Sequence, residues 1–330
     1  MKTKHLIYCP FTGLGLYNGF RGNRWLRNRI QIFKQFVVPS LFNQVNQNYI
    51  LWISWRPEER SNIIVIAFMQ YLNSIFEEGQ VVYTFSGVCF YDDKYPDDIA
   101  RERLINSIHQ SMPMLLNAIG ECDYVLITIQ PSDDIYERNA FERIQNRFEN
   151  KPSIEALGYT SGYICNYLNK ELAEYNPTTN PPFYTIKFTR EVFQDPLKHI
   201  NYTSLKKDVG PYKIGTPLPS HEYVGDCLNY KIMEGRGFLV GTHSENISTV
   251  FNHPFKGNEI HNYASQDSII NNLSKDLILQ TFGIFNSFPL VIQSSFRKRI
   301  LRMLPFKTQK KIRYILGEKI WNKFYNFLRS

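Results

Sequence analysis

Residues 123–134, DYVLITIQPSDD, join a short apolar run to two adjacent carboxylates. The run over 124–129 is rich in β-branched residues and does not alternate with polar ones, which is typical of a strand buried on both faces. The residues that follow, 135–148, carry apolar side chains at helical spacing. The stretch therefore predicts a buried strand, a polar turn and a helix, with Asp133 and Asp134 at the carboxyl end of the strand.

Three similar units precede this strand along the chain. Apolar runs at 5–11, 49–55 and 80–86 are each followed by a helical pattern or a helix-start signal. Four strands that alternate with three helices predict an α/β fold, in which a mostly parallel sheet has helices on both faces. In such sheets ligands bind beyond the carboxyl ends of the strands. The two carboxylates are therefore predicted to lie where a ligand binds.

The pattern becomes mixed α+β after Pro152. Residues 163–176 alternate as in a hairpin about Asn169 and Lys170, and 183–188 read as a further strand. Residues 221–233 have a helical pattern, and 236–243 predict one more strand.

The net charge of +8 is concentrated at the end of the chain. Residues 297–330 hold eleven Lys or Arg and one acidic residue, for a charge of +10, and the other 296 residues sum to −2. Bulky apolar residues recur among these cations, as in an amphipathic helix on an anionic membrane surface. A helix pair packed on the body is the alternative. RNA binding is less favoured because the chain shows no nucleic-acid-binding module.

The sequence thus divides into a regular α/β half at 1–150, a mixed half at 151–284 and a basic helical tail at 285–330.

Asp133 and Asp134 have two interpretations. Ser132 or Asp133 can cap the following helix, whose dipole favours acidic residues at its start. Alternatively, the two carboxylates can hold Mg²⁺ or Mn²⁺, which bridges the phosphates of a nucleotide. The position at a strand end favours the second interpretation.

A second group of polar residues lies in the mixed half. His221, Glu222 and Asp226 fall within six positions, and His243 ends the last predicted strand. Any one of them is explained as well by an ordinary exposed or hydrogen-bonded side chain. Their arrival together after apolar runs favours a functional site. The spacing HEYVGD is not HExxH, which argues against a zinc protease.

Missing motifs argue against several other classes. The glycine-rich loop 13–19 is GxGxxxG rather than GxGxxG, and Trp55 and Arg56 stand where a dehydrogenase has an acidic residue. The chain has no GxxxxGK[ST] phosphate loop and no GxSxG nucleophile elbow. Its scattered cysteines, with no signal peptide and no apolar run of about 18 residues, predict a reduced cytoplasmic chain.

Several motifs follow one another in a fixed order over about residues 5–257. They are WLRNR at 25–29 with Phe33, Pro39-Ser40-Leu41, Gln44, YILWI at 49–53, SDD at 132–134, GYICNY at 162–167, PPFYTIKF at 181–188 and HSENIST at 243–249. In this order they resemble the rhamnosyltransferase family of GT-A-type glycosyltransferases.

This resemblance implies the inverting transfer of a sugar such as rhamnose from a nucleotide-diphosphate donor to a glycan or lipid-linked acceptor. It implies that Asp133 and Asp134 bind the donor, and that they hold Mn²⁺ or Mg²⁺ together with His243. It also implies a catalytic base at Asp226, with Glu222 as the alternative.

The family often has Asp-Ser-Asp-Asp at the strand end, and Pro131 replaces the first acid here. This replacement removes one metal ligand or ribose contact. A second prediction therefore competes with the enzyme, namely a catalytically silent protein of the same fold that binds a nucleotide-sugar or a glycan.

The departing diphosphate needs a positive charge beside it, from the metal or from a side chain. Arg101 and Arg103 are candidates because they lie just inside the helix after the third strand; a solvated helix face is the alternative. With the basic tail, these features predict an enzyme held peripherally at the inner face of the cell membrane.

Overall fold

The computed structural model describes residues 1–12, 22–85, 97–177, 180–195, 221, 224–243, 259–264, 269–270, 273–285, 288–292, 314 and 320. Only the backbone is described at 97–105, 107–108, 227, 259–264, 269–270 and 273. The chain forms two compact units, Met1–Leu290 and Val291–Ser330. Glu222, the side chains of Arg101 and Arg103, and nearly all of the predicted tail helix lie outside the described residues. None of the helices in the described part is both long and apolar enough to cross a membrane.

The strands follow one another along the first unit. They are β1 Thr3–Pro10, β2 Ile50–Ser54, β3 Val81–Thr84, β4 Tyr124–Ile129, β5 Ile135–Tyr136, β6 Ala156–Asn166, β7 Glu171–Asn176, β8 Tyr184–Thr189, β9 Tyr230–Thr242, β10 Glu259–Ala264, β11 Ile269–Ile270 and β12 Leu273–Ser274.

Helices alternate with the first strands and are shorter in the second half. They are α1 Asn23–Ile32, a π-helical segment Phe33–Val37, α2 Val38–Phe42, a 3₁₀ turn Pro57–Glu59, α3 Ile63–Ile75, α4 Asp97–Ile119, α5 Ala140–Asn150, α6 Arg190–Gln194, α7 Val224–Cys227 and α8 Lys275–Thr281.

One sheet runs through both halves of the first unit, in the order β10-β7-β6-β8-β4-β1-β2-β3. Strands β4, β1, β2 and β3 are mutually parallel. From β8 onward the pairing is antiparallel, except that β9 runs parallel to β6 and also pairs with β5. The α/β fold predicted from the alternating pattern is confirmed. Because Tyr8 is in register with Ile129 and Pro10 with Ser54, the carboxyl ends of β1, β2 and β4 share one edge.

Helices cover both faces of the parallel strands. Leu115 of α4 packs in one buried cluster with Leu6 and Ile127. His5 is adjacent to Leu6 and therefore points to the opposite face. There its ring centroid lies 5.5 Å from that of Phe141, on α5.

Two predicted helices have the wrong bounds. The helix after Asp133 and Asp134 begins only at Ala140, because β5 pairs with β9 instead of joining the helix. Neither Ser132 nor Asp133 therefore caps a helix. Of the helix predicted over 221–233, the described residues form α-helix only in α7, and the residues from Tyr230 onward pair with β6 instead. In both places, pairing with a distant strand overrides the local pattern.

The hairpin predicted about Asn169 and Lys170 is confirmed. Strands β6 and β7 pair antiparallel on either side of it, and Lys170 has a φ of 61°. This left-handed conformation closes the turn.

Candidate functional site

Asp133 lies just beyond the carboxyl end of β4, in contact with two side chains from distant parts of the chain. Its Oδ2 forms an ion pair with Nη1 of Arg29. The same oxygen lies 3.1 Å from Nε2 of His243. The side chain of Arg29 is 3% exposed and that of Asp133 is 15% exposed, so the pair is largely shielded while the carboxylate keeps some access to solvent.

Helix α1 brings Arg29 to this position. Trp25 and Arg29 of α1 and Phe33, the first residue of the π-helical segment, follow at intervals of four residues and are all buried. The guanidinium carbon of Arg29 lies 5.3 Å from the ring centroid of Trp25, within the range of a cation–π contact. Arg29 was missed as a functional residue, although a charged residue on an otherwise apolar helical stripe is a signal that the sequence contains.

The two adjacent carboxyl groups have opposite pKa shifts. Burial alone would raise the pKa of Asp133, but the Arg29 guanidinium and the hydrogen bond from His243 lower it to about 2. Burial and the neighbouring charge of Asp133 raise the pKa of Asp134 well above its usual range, despite the Gly241 N–H that donates to its Oδ1 at 2.9 Å. Like charges this close disfavour ionising both groups. Asp133 is therefore the ionised partner.

The backbone around the carboxylates is held by buried side chains. The Tyr167 hydroxyl donates to the Asp133 carbonyl at 3.1 Å, and the Gln130 amide donates to the Asp134 carbonyl at 2.6 Å. The Tyr167 ring stacks on Phe36 of the π-helical segment, with 3.6 Å between ring centroids and 4° between ring planes. The position of Asp133 is thus determined by packing as well as by charge, as expected of a preorganised site.

Gly241 lets β9 approach the strand-end turn closely. A Cβ atom at this position would lie 2.3 Å from the Asp133 carbonyl oxygen and 2.3 Å from a ring carbon of Tyr167. No side chain fits at these distances, so glycine is required for this contact.

A second buried carboxyl group lies beyond β2 at the same edge of the sheet. Glu59 is 3% exposed, and its Oε2 accepts hydrogen bonds from the Thr12 hydroxyl and, at 3.3 Å, from the Arg56 N–H. Its Oε1 has no hydrogen-bond partner among the described residues. Burial raises the pKa of Glu59, although these hydrogen bonds oppose the shift. Glu59 was missed as a site residue because an acidic residue was looked for at the end of β2, where Trp55 and Arg56 stand.

The structure brings three of the predicted site residues together: Asp133, Asp134 and His243. Asp226 lies on α7, is exposed, and is separated from His243 by the whole of β9. No hydrogen bond or ion pair among the described side chains joins Asp226 to Asp133 or His243. Its role as a base, and that of Glu222, stay predictions.

The predicted metal ligands are already engaged by protein groups. Oδ2 of Asp133 contacts Arg29 and His243, and Oδ1 of Asp134 accepts the Gly241 N–H. In the described part of the chain, no group of three His, Cys, Asp or Glu residues is arranged to hold a metal ion. The side chains as they stand do not fit a divalent cation. Binding of Mn²⁺ or Mg²⁺ here stays a prediction to be measured.

No family model and no curated protein matches the sequence. Among solved structures, the crystal structure of S. aureus TarS 1-349 aligns with a TM-score of 0.35 and 9% identity, over 72% of this chain and 60% of that chain. A crystal structure of S. aureus TarS aligns with a TM-score of 0.34 and 8% identity, over 72% of this chain and 37% of that chain. This chain spans less than two thirds of the length of either TarS chain, and a likeness at these TM-scores assigns no activity.

Proposed function

We propose that this protein is a glycosyltransferase, which moves a sugar from a nucleotide-diphosphate donor to a glycan or lipid-linked acceptor. The observation that carries the proposal is the position of Asp133 beyond β4, where its carboxylate contacts Arg29 and His243 at the edge where β1, β2 and β4 end. Nucleotides bind at this edge in parallel α/β sheets.

The chemistry of the neighbouring groups supports a nucleotide donor. Oε1 of Glu59, at the same edge of the sheet, is buried and has no hydrogen-bond partner among the described residues, so a nucleobase N–H that displaced the groups covering it would find an acceptor there. Arg29 offsets the carboxylate charge that would otherwise repel a diphosphate. Strand β8 pairs with β4 and begins the antiparallel half of the sheet, which we assign to binding of the acceptor.

An inverting transfer also needs a base that takes the proton of the acceptor hydroxyl. Asp226, with Glu222 as the alternative, stays the prediction for this role. The proposal does not depend on either residue, because its support comes from Asp133, Arg29 and Glu59. Rhamnose as the donor sugar, and inversion as the stereochemical outcome, likewise come only from the family resemblance.

Purified protein incubated with a panel of nucleotide-sugars, with and without Mn²⁺, tests the proposal. We expect release of nucleoside diphosphate, and a loss of about 10²-fold in Asp133→Asn, the size seen when a charge-stabilising group is removed from an active site. Asp123→Asn is the matched control: Asp123 precedes the amino end of β4 and accepts the Lys2 N–H at 2.7 Å. Binding without turnover in every condition would support the silent binding protein instead.

We also propose that the basic tail, 285–330, binds the anionic inner face of the cell membrane. The support is its charge and apolar pattern, together with the exposure of Tyr314 and Ile320, at 90% and 59%. Flotation with vesicles of phosphatidylcholine and an anionic lipid tests this proposal. The full chain should float with anionic vesicles and remain behind with neutral ones. Equal flotation of a chain that ends at residue 284 would contradict it.

A further inference from the structure

We propose that Arg29 provides the positive charge at the strand-end carboxylates in place of a divalent cation, so that nucleoside diphosphates bind here without added metal. This inference rests on the proposed function and deepens it. Because Arg29 acts through Asp133, it is a positioning residue.

The first argument is that protein donors already occupy carboxylate oxygens of Asp133 and Asp134. Metal sites that bind phosphates use carboxylate oxygens that are open to the cation. Here Oδ2 of Asp133 contacts both Nη1 of Arg29 and, at 3.1 Å, Nε2 of His243. Oδ1 of Asp134 accepts the Gly241 N–H at 2.9 Å. A cation ligated by these two oxygens would have to displace a protein donor from each of them.

The second argument is that Arg29 cannot withdraw easily. It lies on the buried face of α1 at 3% exposure, and its guanidinium faces the ring of Trp25. Removing it from Asp133 would leave a charge without compensation in a largely buried place, which is strongly unfavourable. A divalent cation that entered beside it would be repelled by a fixed positive charge, because guanidinium does not deprotonate in proteins.

The third argument is charge balance toward an anionic ligand. An ionised carboxylate without a partner would repel a diphosphate, and a metal is one means of reversing that repulsion. Pairing Asp133 with Arg29 offsets this negative charge by means of the chain's own residue. Arginine serves the same purpose in other phosphate sites, where its planar group suits oxyanions.

Titration calorimetry on the full chain tests the inference, with UDP, GDP, ADP and dTDP as probes, in EDTA and in Mn²⁺. We expect at least one probe to bind, with a Kd that changes less than about threefold between the two conditions, a difference too small to represent a lost metal contact. Binding only in Mn²⁺ would overturn the role of Arg29 while leaving the glycosyltransferase proposal standing. Absence of binding in both conditions would overturn both.

Electron paramagnetic resonance of Mn²⁺ alone provides a readout that does not depend on activity. The wild-type chain and Asp133→Asn should show the same amount of bound Mn²⁺. A bound-Mn²⁺ signal that is present in the wild type and lost in Asp133→Asn would show that the inference is wrong. Arg29→Gln removes the fixed positive charge from Asp133 and is expected to gain a bound Mn²⁺, which is lost again in the double variant Arg29→Gln/Asp133→Asn.

A matched control is Arg143→Gln. Arg143 is also a helical arginine in a cation–π contact, with its guanidinium carbon 5.7 Å from the Tyr159 ring centroid, but it has no described contact with the carboxylates. It should leave nucleotide and Mn²⁺ binding unchanged. The wild-type measurements decide the inference even if Arg29→Gln fails to fold.

Discussion

His5 should make the stability of the fold depend on pH. It is 2% exposed on β1, and burial lowers its pKa from the ordinary 6.5 to about 3. Its Nε2 lies 2.6 Å from the Thr128 hydroxyl, and its Nδ1 lies 3.0 Å from the Gln145 side-chain amide nitrogen. A neutral ring that accepts at Nδ1 and donates at Nε2 satisfies both contacts. A second proton, on Nδ1, would point at the Gln145 N–H.

Proton linkage determines whether the free energy of unfolding rises or falls with pH. Between pH 6.5 and pH 3 the unfolded chain binds a proton at His5 and the folded chain does not, so the free energy of unfolding falls as the pH falls. The contribution is fully present above the unfolded pKa and is lost toward the folded one. Between pH 7.5 and pH 5 it amounts to about 2 kcal/mol, at about 1.4 kcal/mol per pH unit below pH 6.5.

Urea unfolding of the wild type and of His5→Gln at both pH values measures this term as a difference. The other titrating groups cancel because both proteins share them. We expect the wild type to lose about 2 kcal/mol more than His5→Gln on acidification. His109→Gln, which removes an exposed histidine, is the matched control. A wild type and a His5→Gln variant with the same pH dependence would refute the reasoning from burial.

Three further substitutions test the packing of the site at Gly241 and Tyr167 and the binding role of Glu59. Gly241→Ala places a Cβ 2.3 Å from backbone and ring atoms and should lower the free energy of unfolding by about 1–3 kcal/mol, whereas Gly225→Ala, whose nearest contact is 3.6 Å, should be tolerated in thermal denaturation. Tyr167→Phe leaves the half-buried Asp133 carbonyl without its donor and should cost about 1 kcal/mol in urea unfolding; no change would show that solvent replaces the lost donor. Glu59→Gln should weaken nucleotide binding in calorimetry more than it lowers the melting temperature, and the reverse order would mark Glu59 as structural only.

The local pattern of the sequence was sufficient to predict the parallel half of the sheet. The apolar runs at 5–11, 49–55 and 124–129 became β1, β2 and β4, because a strand buried on both faces leaves an unbroken apolar signal. The same pattern placed Asp133 and Asp134 at a strand end, because the end of the apolar run marks the end of β4 and the two acids follow it in the sequence.

The function of those carboxylates depended on contacts that no local pattern contains. Local periodicity was compatible with a helix from residue 135, but the pairing of β5 with β9 excluded the cap and brought His243 and Gly241 to the turn. The partner of Asp133 is Arg29. The sequence predicted the helix that carries Arg29 but not the ion pair between the two side chains. Burial, and with it the pKa difference between the two acids, exists only once α1, β4 and β9 are packed together, because an ion pair between distant segments is a property of the folded chain.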